Sequence, residues 1–210
     1  MPVRRPLAAL DAAEGTARSE PRCGTLGRER YRRPLTRWKG GSYPRAVRFA
    51  IRPLTLDDVV LMRGWHYEPP FDEYDPATDP TEVAELEAAV GSSLGLAIDD
   101  ADHGRLAGFA VCTPGEEGME IGLGLRPDLT GGGLGVAFVS AIVGSLIERW
   151  RPRGVWLDVL PWNARAITVY ERAGFVRGEV YLRRFEDGNE REFLRMSLSS
   201  GSLSQGDARG

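Results

Sequence analysis

Six residues carry the first chemical signal: Thr130, Gly131, Gly132, Gly133, Leu134 and Gly135, followed by Val136 and an apolar run to Trp150. Glycine inside a helix costs about 0.5–1 kcal/mol relative to alanine. Four glycines where a helix begins therefore point to something that side chains would obstruct. A glycine-rich turn between strand and helix leaves several backbone N–H groups without intrahelical partners, at the positive end of the helix dipole. With no Cβ atoms in the way, an anion can reach those groups, and phosphate is the expected ligand. Two common phosphate loops are excluded by residue. The nucleoside-triphosphate loop needs a lysine before Ser or Thr, and the single lysine of the chain is Lys39. The dinucleotide fingerprint G-x-G-x-x-G needs a glycine where Val136 stands, and it follows the first strand of its unit rather than the fourth.

The strand before the loop, MEIGLGLRP (119–127), places Glu120, Gly122 and Gly124 on one face and Ile121, Leu123 and Leu125 on the other. Two glycines on one face leave room for an extended ligand along the backbone. Glu120 on that face is a candidate general base, and Asp158 on the next strand is the alternative. The plain reading of Glu120 is a solvated carboxylate at a strand end.

These residues must be positioned by the elements around them. VRFAIRPL (47–54) alternates like a strand that stops at Pro53. Thr55 and Asp58 have capping-box spacing, so a helix starts there. Four prolines prevent a long helix over 66–80. A second helix covers 81–90, with Thr81 as its cap. GLAIDD and RLAGFAVC read as two strands joined at Asp102–Gly104. A helix then runs from the glycines to about Trp150, a strand covers 154–162, and a short helix covers 163–174, closed by Gly174. Two strands, 175–185 and 190–198, meet at an Asp-Gly turn. The order is β–α–α–β–β–β–α–β–α–β–β, an α/β chain in the broad sense.

Two segments carry a resemblance. TGGGLG, at a strand–helix junction, resembles the acyl-CoA-binding motif [QR]-x-x-G-x-[GA] of the GCN5-related N-acetyltransferase (GNAT) superfamily, with Gly133 and Gly135 at its small positions. Thr130 stands where that family has Gln or Arg. PWNARAITVYERAGF (161–175) resembles its N-x-x-A-x-x-x-Y-x-x-x-G-F segment, with Asn163, Ala166, Tyr170, Gly174 and Phe175 in register. WHYEPPFDEYD together with IGLGLRPDLTGGGLG is similar to a bacterial subgroup of unassigned substrate, which usually has Arg where Gly132 stands. The resemblance covers 47–198. It implies a mixed, mostly antiparallel sheet of about seven strands flanked by about four helices. It also implies acetyl-CoA as co-substrate and transfer of an acetyl group to an amine without a metal. By resemblance, the loop from Thr130 to Val136 holds the pyrophosphate and Asn163 contacts the pantetheine arm. The backbone of Leu123 and Leu125 flanks that arm, and Tyr170 lies near the thiol as proton donor. The acceptor would meet His66, Tyr67, Phe71 and Tyr74. Glu68, Asp72, Glu73 and Asp75 would draw a cationic amine, although a solvated acidic loop is the plain alternative.

Composition sets outer limits. Hydrophobic content of 42% and charged content of 27% suit a globular chain. No run of 18 apolar residues exists, so neither a membrane span nor a secretory leader is expected. Cys23 and Cys112 make no disulfide framework, and a reducing, cytoplasmic setting is expected. His66 and His103 are the only histidines and lie far apart, so no metal site is expected. Residues 1–50 hold 12 Lys+Arg against 4 Asp+Glu, and the remainder holds 15 against 26. Residues 1–46 read as a basic, disordered extension, 47–198 as the acyltransferase domain, and 199–210 as a tail. The acceptor is expected to be a small-molecule amine or a peptide amine, not a nucleic acid. The terminal hairpin offers an edge where a second copy could pair. A competing reading is a non-catalytic module of the same fold that binds CoA or a partner.

Overall fold

The computed structural model describes residues 48–76, 80–185 and 188–199. The basic extension over 1–46 and most of the tail lie outside the described residues, while Ser199 still belongs to the last strand.

The chain opens with β1 (Phe49–Pro53) and α1 (Leu56–Met62). The capping box forms as expected: Asp58 N–H donates to Thr55 Oγ1 (3.3 Å) and Thr55 N–H donates to Asp58 Oδ2 (3.0 Å). Arg52 holds the other side of this carboxylate with two hydrogen bonds of 2.6 and 2.7 Å, and also reaches Asp99 at 2.8 Å. Helix α2 (Pro80–Ala89) starts at the proline itself instead of after a Thr81 cap. Proline suits a first helical position because its missing N–H would have no partner there.

Next come β2 (Gly95–Asp100), β3 (Arg105–Gly115), β4 (Gly118–Leu125), α3 (Gly135–Trp150), β5 (Gly154–Val159), α4 (Ala164–Arg172), β6 (Val176–Arg184) and β7 (Glu190–Ser199). The sheet order is β1-β2-β3-β4-β5-β7-β6. Every neighbouring pair is antiparallel except β4–β5, which is parallel. The expected mixed, mostly antiparallel seven-stranded sheet with four helices is what the chain forms.

Alternation along the strands sends odd and even positions to opposite faces. Ile121, Leu123 and Leu125 of β4 and Val155 and Leu157 of β5 join Phe138, Ile142 and Leu146 of α3 and Ile167 of α4 in the main core. On the other face, Phe109 joins Leu54, Val59, Met62 and Leu86 beneath α1 and α2. Residue 126 leaves the ladder and Pro127–Leu129 forms a short 3₁₀ turn, so β4 is shorter than its sequence pattern. Strand β6 lies at the sheet edge with Val176, Val180 and Leu182 exposed. Among the described residues, no helix is long and apolar enough to cross a membrane.

Candidate functional site

The parallel β4–β5 pairing stops almost as soon as it starts. Its register runs Met119↔Val155 and Glu120↔Trp156 and goes no further. Beyond Glu120 the two strands separate while each keeps its outer neighbour, β3 on one side and β7 on the other. Arg126 N–H donates to Ala107 O of β3 at 2.8 Å. Backbone direction alternates along a strand, so Leu125 and Leu123 turn their N–H and C=O groups the opposite way, into the gap beside β5. Their side chains stay in the core. The expectation that these two residues act through backbone therefore has a geometric basis. The Leu125 carbonyl accepts a 2.9 Å hydrogen bond from the Tyr67 hydroxyl.

The glycine loop lies past the far end of this gap. Gly131 and Gly133 have φ of +79° and +78°, a conformation that other residues enter at a cost, and a Cβ on either would meet nothing within 4 Å. The loop is therefore left-handed by necessity and open on its outer side. Helix α3 follows with Leu134 as N-cap, without a side-chain cap and without an acidic residue in its first turn. The first bond back into the helix is Phe138 N–H to Leu134 O, so the N–H groups of Gly135, Val136 and Ala137 precede the ladder, as an anion requires. Gly135 has a different reason to be small. A Cβ there would come within 2.9 Å of Val169 Cγ2 on α4, so this glycine sets the approach of two helices. Thr130 does not take over the missing Gln or Arg. Its hydroxyl donates back to Pro127 O at 2.7 Å and closes the 3₁₀ turn.

Three tyrosines and one asparagine converge beside the gap. Asn163 caps α4, with Oδ1 accepting from Ala166 N–H (3.1 Å), while its Nδ2 donates to the Tyr74 hydroxyl (3.2 Å). Tyr170, about two helix turns after that cap, is fully buried against Phe175, ring centroids 6.0 Å apart. Burial pushes its phenol well above the usual tyrosine range, and the nearby Tyr74 and Tyr67 add to the shift. Tyr74 is pushed up to about 12, by burial first. With both shifts upward, Tyr74 and Tyr170 keep their protons at neutral pH.

Segment 66–75 forms the wall over this cluster. Trp65 anchors it against Phe109 (centroids 6.1 Å). Asp75, itself buried, ties the loop together: Oδ1 accepts from Tyr67 N–H (2.7 Å) and Oδ2 lies 3.0 Å from His66 Nδ1. Phe71 and Tyr74 stack on Trp162, and Arg165 lies 3.9 Å above the Phe71 ring. Tyr67, Phe71 and Tyr74 therefore come together. His66 is 75% exposed and its Nδ1 lies against Asp75. The acidic lid is also thinner than the sequence suggested. Asp75 points inward and Glu73 pairs with Arg191 at 3.3 Å, leaving Glu68 and Asp72 as the outward acids.

The two candidate bases differ sharply. Glu120 is buried on the α1/α2 side of β4, at the last rung before the gap. Asp158 is fully buried but committed. It accepts from Tyr181, from Arg183 and twice from Arg195 (3.0 and 3.1 Å). Four hydrogen bonds from three side chains already engage this carboxylate. The room expected along Gly122 and Gly124 is also reduced, because a Cβ on Gly124 would run into the Phe109 ring. The extended space lies between β4 and β5 instead. Trp156, Trp162, Arg183 and Arg195 belong to the site and have no local sequence signal. Strand register brings Trp156, Arg183 and Arg195 around Asp158, while Trp162 meets the wall through Phe71 and Tyr74. Among the described residues, no group of three His, Cys, Asp or Glu side chains is arranged to hold a metal ion.

Comparison with known proteins agrees with this fold. No curated protein matches the sequence. Among solved structures, an acetyltransferase of the GNAT family from Bacillus anthracis is similar at 18% identity and TM-score 0.61, covering 75% of this chain and 98% of that one. The aminoglycoside acetyltransferase AAC(6')-Ib in complex with coenzyme A is similar at 21% identity and TM-score 0.59, covering 77% and 100%. Spermidine N-acetyltransferase from Vibrio cholerae in complex with CoA and spermine is similar at 18% identity and TM-score 0.55, covering 74% and 98%. At such identities the likeness is one of fold. The family model for the acetyltransferase (GNAT) domain matches residues 48–176, more than half of the chain, and the chain belongs to that family.

Proposed function

We propose that this chain is an acetyl-CoA-dependent N-acetyltransferase that brings acetyl-CoA and a primary amine together in one ternary complex. The observation that carries the reading is the gap opening between β4 and β5 after Glu120–Trp156. One end of that gap leads to an open, uncapped helix N-terminus, and the other ends at a buried carboxylate. From Glu120 to Leu125 the strand spans roughly 17 Å. An extended thioester arm fits such a slot, with its phosphates at Gly131–Val136 and its acyl end near Glu120. The solved structures that hold CoA share this fold.

The residues then divide the chemistry. An alkyl amine is protonated at neutral pH, with a reference pKa of ~10.4, and must lose that proton before it can attack. Glu120, away from bulk water at the inner end of the gap, is the proposed acceptor, directly or through water. A backbone N–H of β4 that faces the gap near its inner end can stabilise negative charge developing on the thioester oxygen. Tyr170 keeps its proton and can pass it to the departing thiolate. Holding both substrates in line contributes several kcal/mol by itself. No covalent enzyme species is needed.

The experiment is thiol release from acetyl-CoA in the presence of polyamines, aminoglycosides, amino acids and peptides, with the acetylated product identified by mass. Release that depends on an acceptor supports the reading. CoA binding without release for any acceptor class sinks it and favours the non-catalytic module, a reading supported by the Thr130 hydroxyl turning away from the phosphate loop. In either case Thr130→Arg should tighten CoA binding, because it returns a charge-assisted donor to the loop. Unchanged affinity by calorimetry would place the pyrophosphate elsewhere.

A further inference from the structure

The acceptor face beyond Glu120 is built from arginine. On β5, Trp156 and Asp158 point to the same side as Glu120 of β4, and β7 and β6 add Arg195, Tyr181 and Arg183. Arg195 lies 4.1 Å above the Trp156 ring and Arg183 lies 4.6 Å above Phe193. Both guanidinium groups share one carboxylate, Asp158. The cluster therefore carries one positive charge more than it neutralises. The Arg183 side chain is nine-tenths buried, and its Nη1 is shielded from solvent with no hydrogen-bond partner among the described residues. A buried guanidinium N–H left without an acceptor is unfavourable. An acceptor oxygen entering from outside the chain would satisfy it. Arg195, one-third exposed, is the side from which such a group can enter.

We infer that the acceptor carries an anionic group, a carboxylate by preference, which docks on Arg195 and Arg183 while its amine is directed to Glu120. The inference rests on the acetyltransferase reading and deepens it. Trp156 is paired with Glu120, and Asp158, two residues further along β5, is paired with Arg195. Asp158, on which both guanidinium groups converge, lies two residues along a strand and one strand across from Glu120, which puts the guanidinium cluster on the order of 8 Å from the amine subsite. That span suits an amino acid with a terminal side-chain amine or a short peptide. It does not suit a polyamine, for which an extra positive charge on this face is repulsive. Of the acids on the wall, Asp75 and Glu73 already have N–H or cationic partners, and Glu68 and Asp72 are exposed to solvent.

The test uses matched amines that differ in the carboxylate: lysine against cadaverine, ornithine against putrescine, and glycylglycine against its amide. Binding is measured by calorimetry on the full chain saturated with CoA, where no turnover occurs, and kcat/KM is measured separately with acetyl-CoA. In at least one pair the carboxylate member should bind tenfold or more tightly. Arg183→Gln should remove that preference, and Arg183→Lys should retain most of it. Arg195 keeps Asp158 paired in both variants. Arg184→Gln, which alters an exposed arginine paired with Glu190, should leave the preference intact. Equal or tighter binding of the diamines or amide, no binding of any pair, or a preference that survives Arg183→Gln overturns the inference. Carboxylate-selective binding without thiol release would keep this subsite and remove the transferase reading. Thiol release with diamines preferred would do the reverse.

Discussion

Gly135 separates two explanations of the glycine loop, and its substitution has a calculable outcome. A Cβ at Gly135 would lie 2.9 Å from Val169 Cγ2 and 3.1 Å from Cγ1, well inside normal contact. Valine is stiff at χ1, so Val169 cannot swing aside cheaply. Overpacking of this kind costs about 1–3 kcal/mol, while alanine in place of glycine in a helix returns up to about 1 kcal/mol. Gly135→Ala should therefore destabilise by about 1–2 kcal/mol, a fall in Tm of about 2–8 °C for a chain of this size. Val169→Ala removes both methyl groups that collide, so the double variant should be more stable than the sum of the two single changes by about 1–2 kcal/mol. Gly133→Ala is the contrast. Its Cβ meets nothing within 4 Å, yet its φ of +78° costs about 1–2 kcal/mol, and Val169→Ala cannot relieve that strain. Urea unfolding followed by circular dichroism reads all five proteins. Wild-type stability in Gly135→Ala, or strict additivity in the double variant, would refute the argument that helix approach requires this glycine.

Three further outcomes are expected. Tyr170→Phe keeps the buried ring and removes only its proton, so kcat should drop about 10- to 1000-fold with little change in the KM for acetyl-CoA. Wild-type turnover with chemistry rate-limiting would leave Tyr170 as a core residue. Asp58→Ala breaks both the α1 cap and the Arg52 pair and should cost about 2–4 kcal/mol at pH 7. Burial alone would raise the Asp58 pKa, but the Arg52 and Thr55 hydrogen bonds outweigh it and lower it below the unfolded value. The contribution is therefore complete above about pH 4. It fades as the pH falls further, so the gap between wild type and variant in denaturant midpoint should narrow in acid. A gap that stays constant down to the acid transition would contradict this. A chain beginning near Ala46 should unfold cooperatively and bind CoA like the full chain, since the described core starts at β1. Loss of the cooperative transition would show that the preceding segment completes the fold.

The sequence by itself determined whatever depends on near neighbours. Thr55 and Asp58 are three residues apart, and the capping box follows from that spacing. Period-2 and period-3.6 patterns gave nearly every strand and helix, because burial on one face repeats along the chain. The run Gly131–Gly133 announced an open turn ahead of α3, although the positive φ of Gly131 and Gly133 and the capping role of Asn163 came only with the structure. Tertiary structure decided the rest, through contacts between segments far apart in sequence. The gap exists because β4 and β5 stay paired only to Glu120 and Trp156, and no local rule reports where a parallel ladder ends. Gly135 faces Val169, 34 positions later, and looked like part of the phosphate loop until the two helices were seen to touch. Asp158 read as a free carboxylate, yet strand register brings Arg195 and Arg183 onto it from 37 and 25 residues away. Asp75 read as a surface acid, and folding turned it inward to hold Tyr67. Charge in a sequence is counted one residue at a time, but what a charge can do depends on the partners that the fold sets against it.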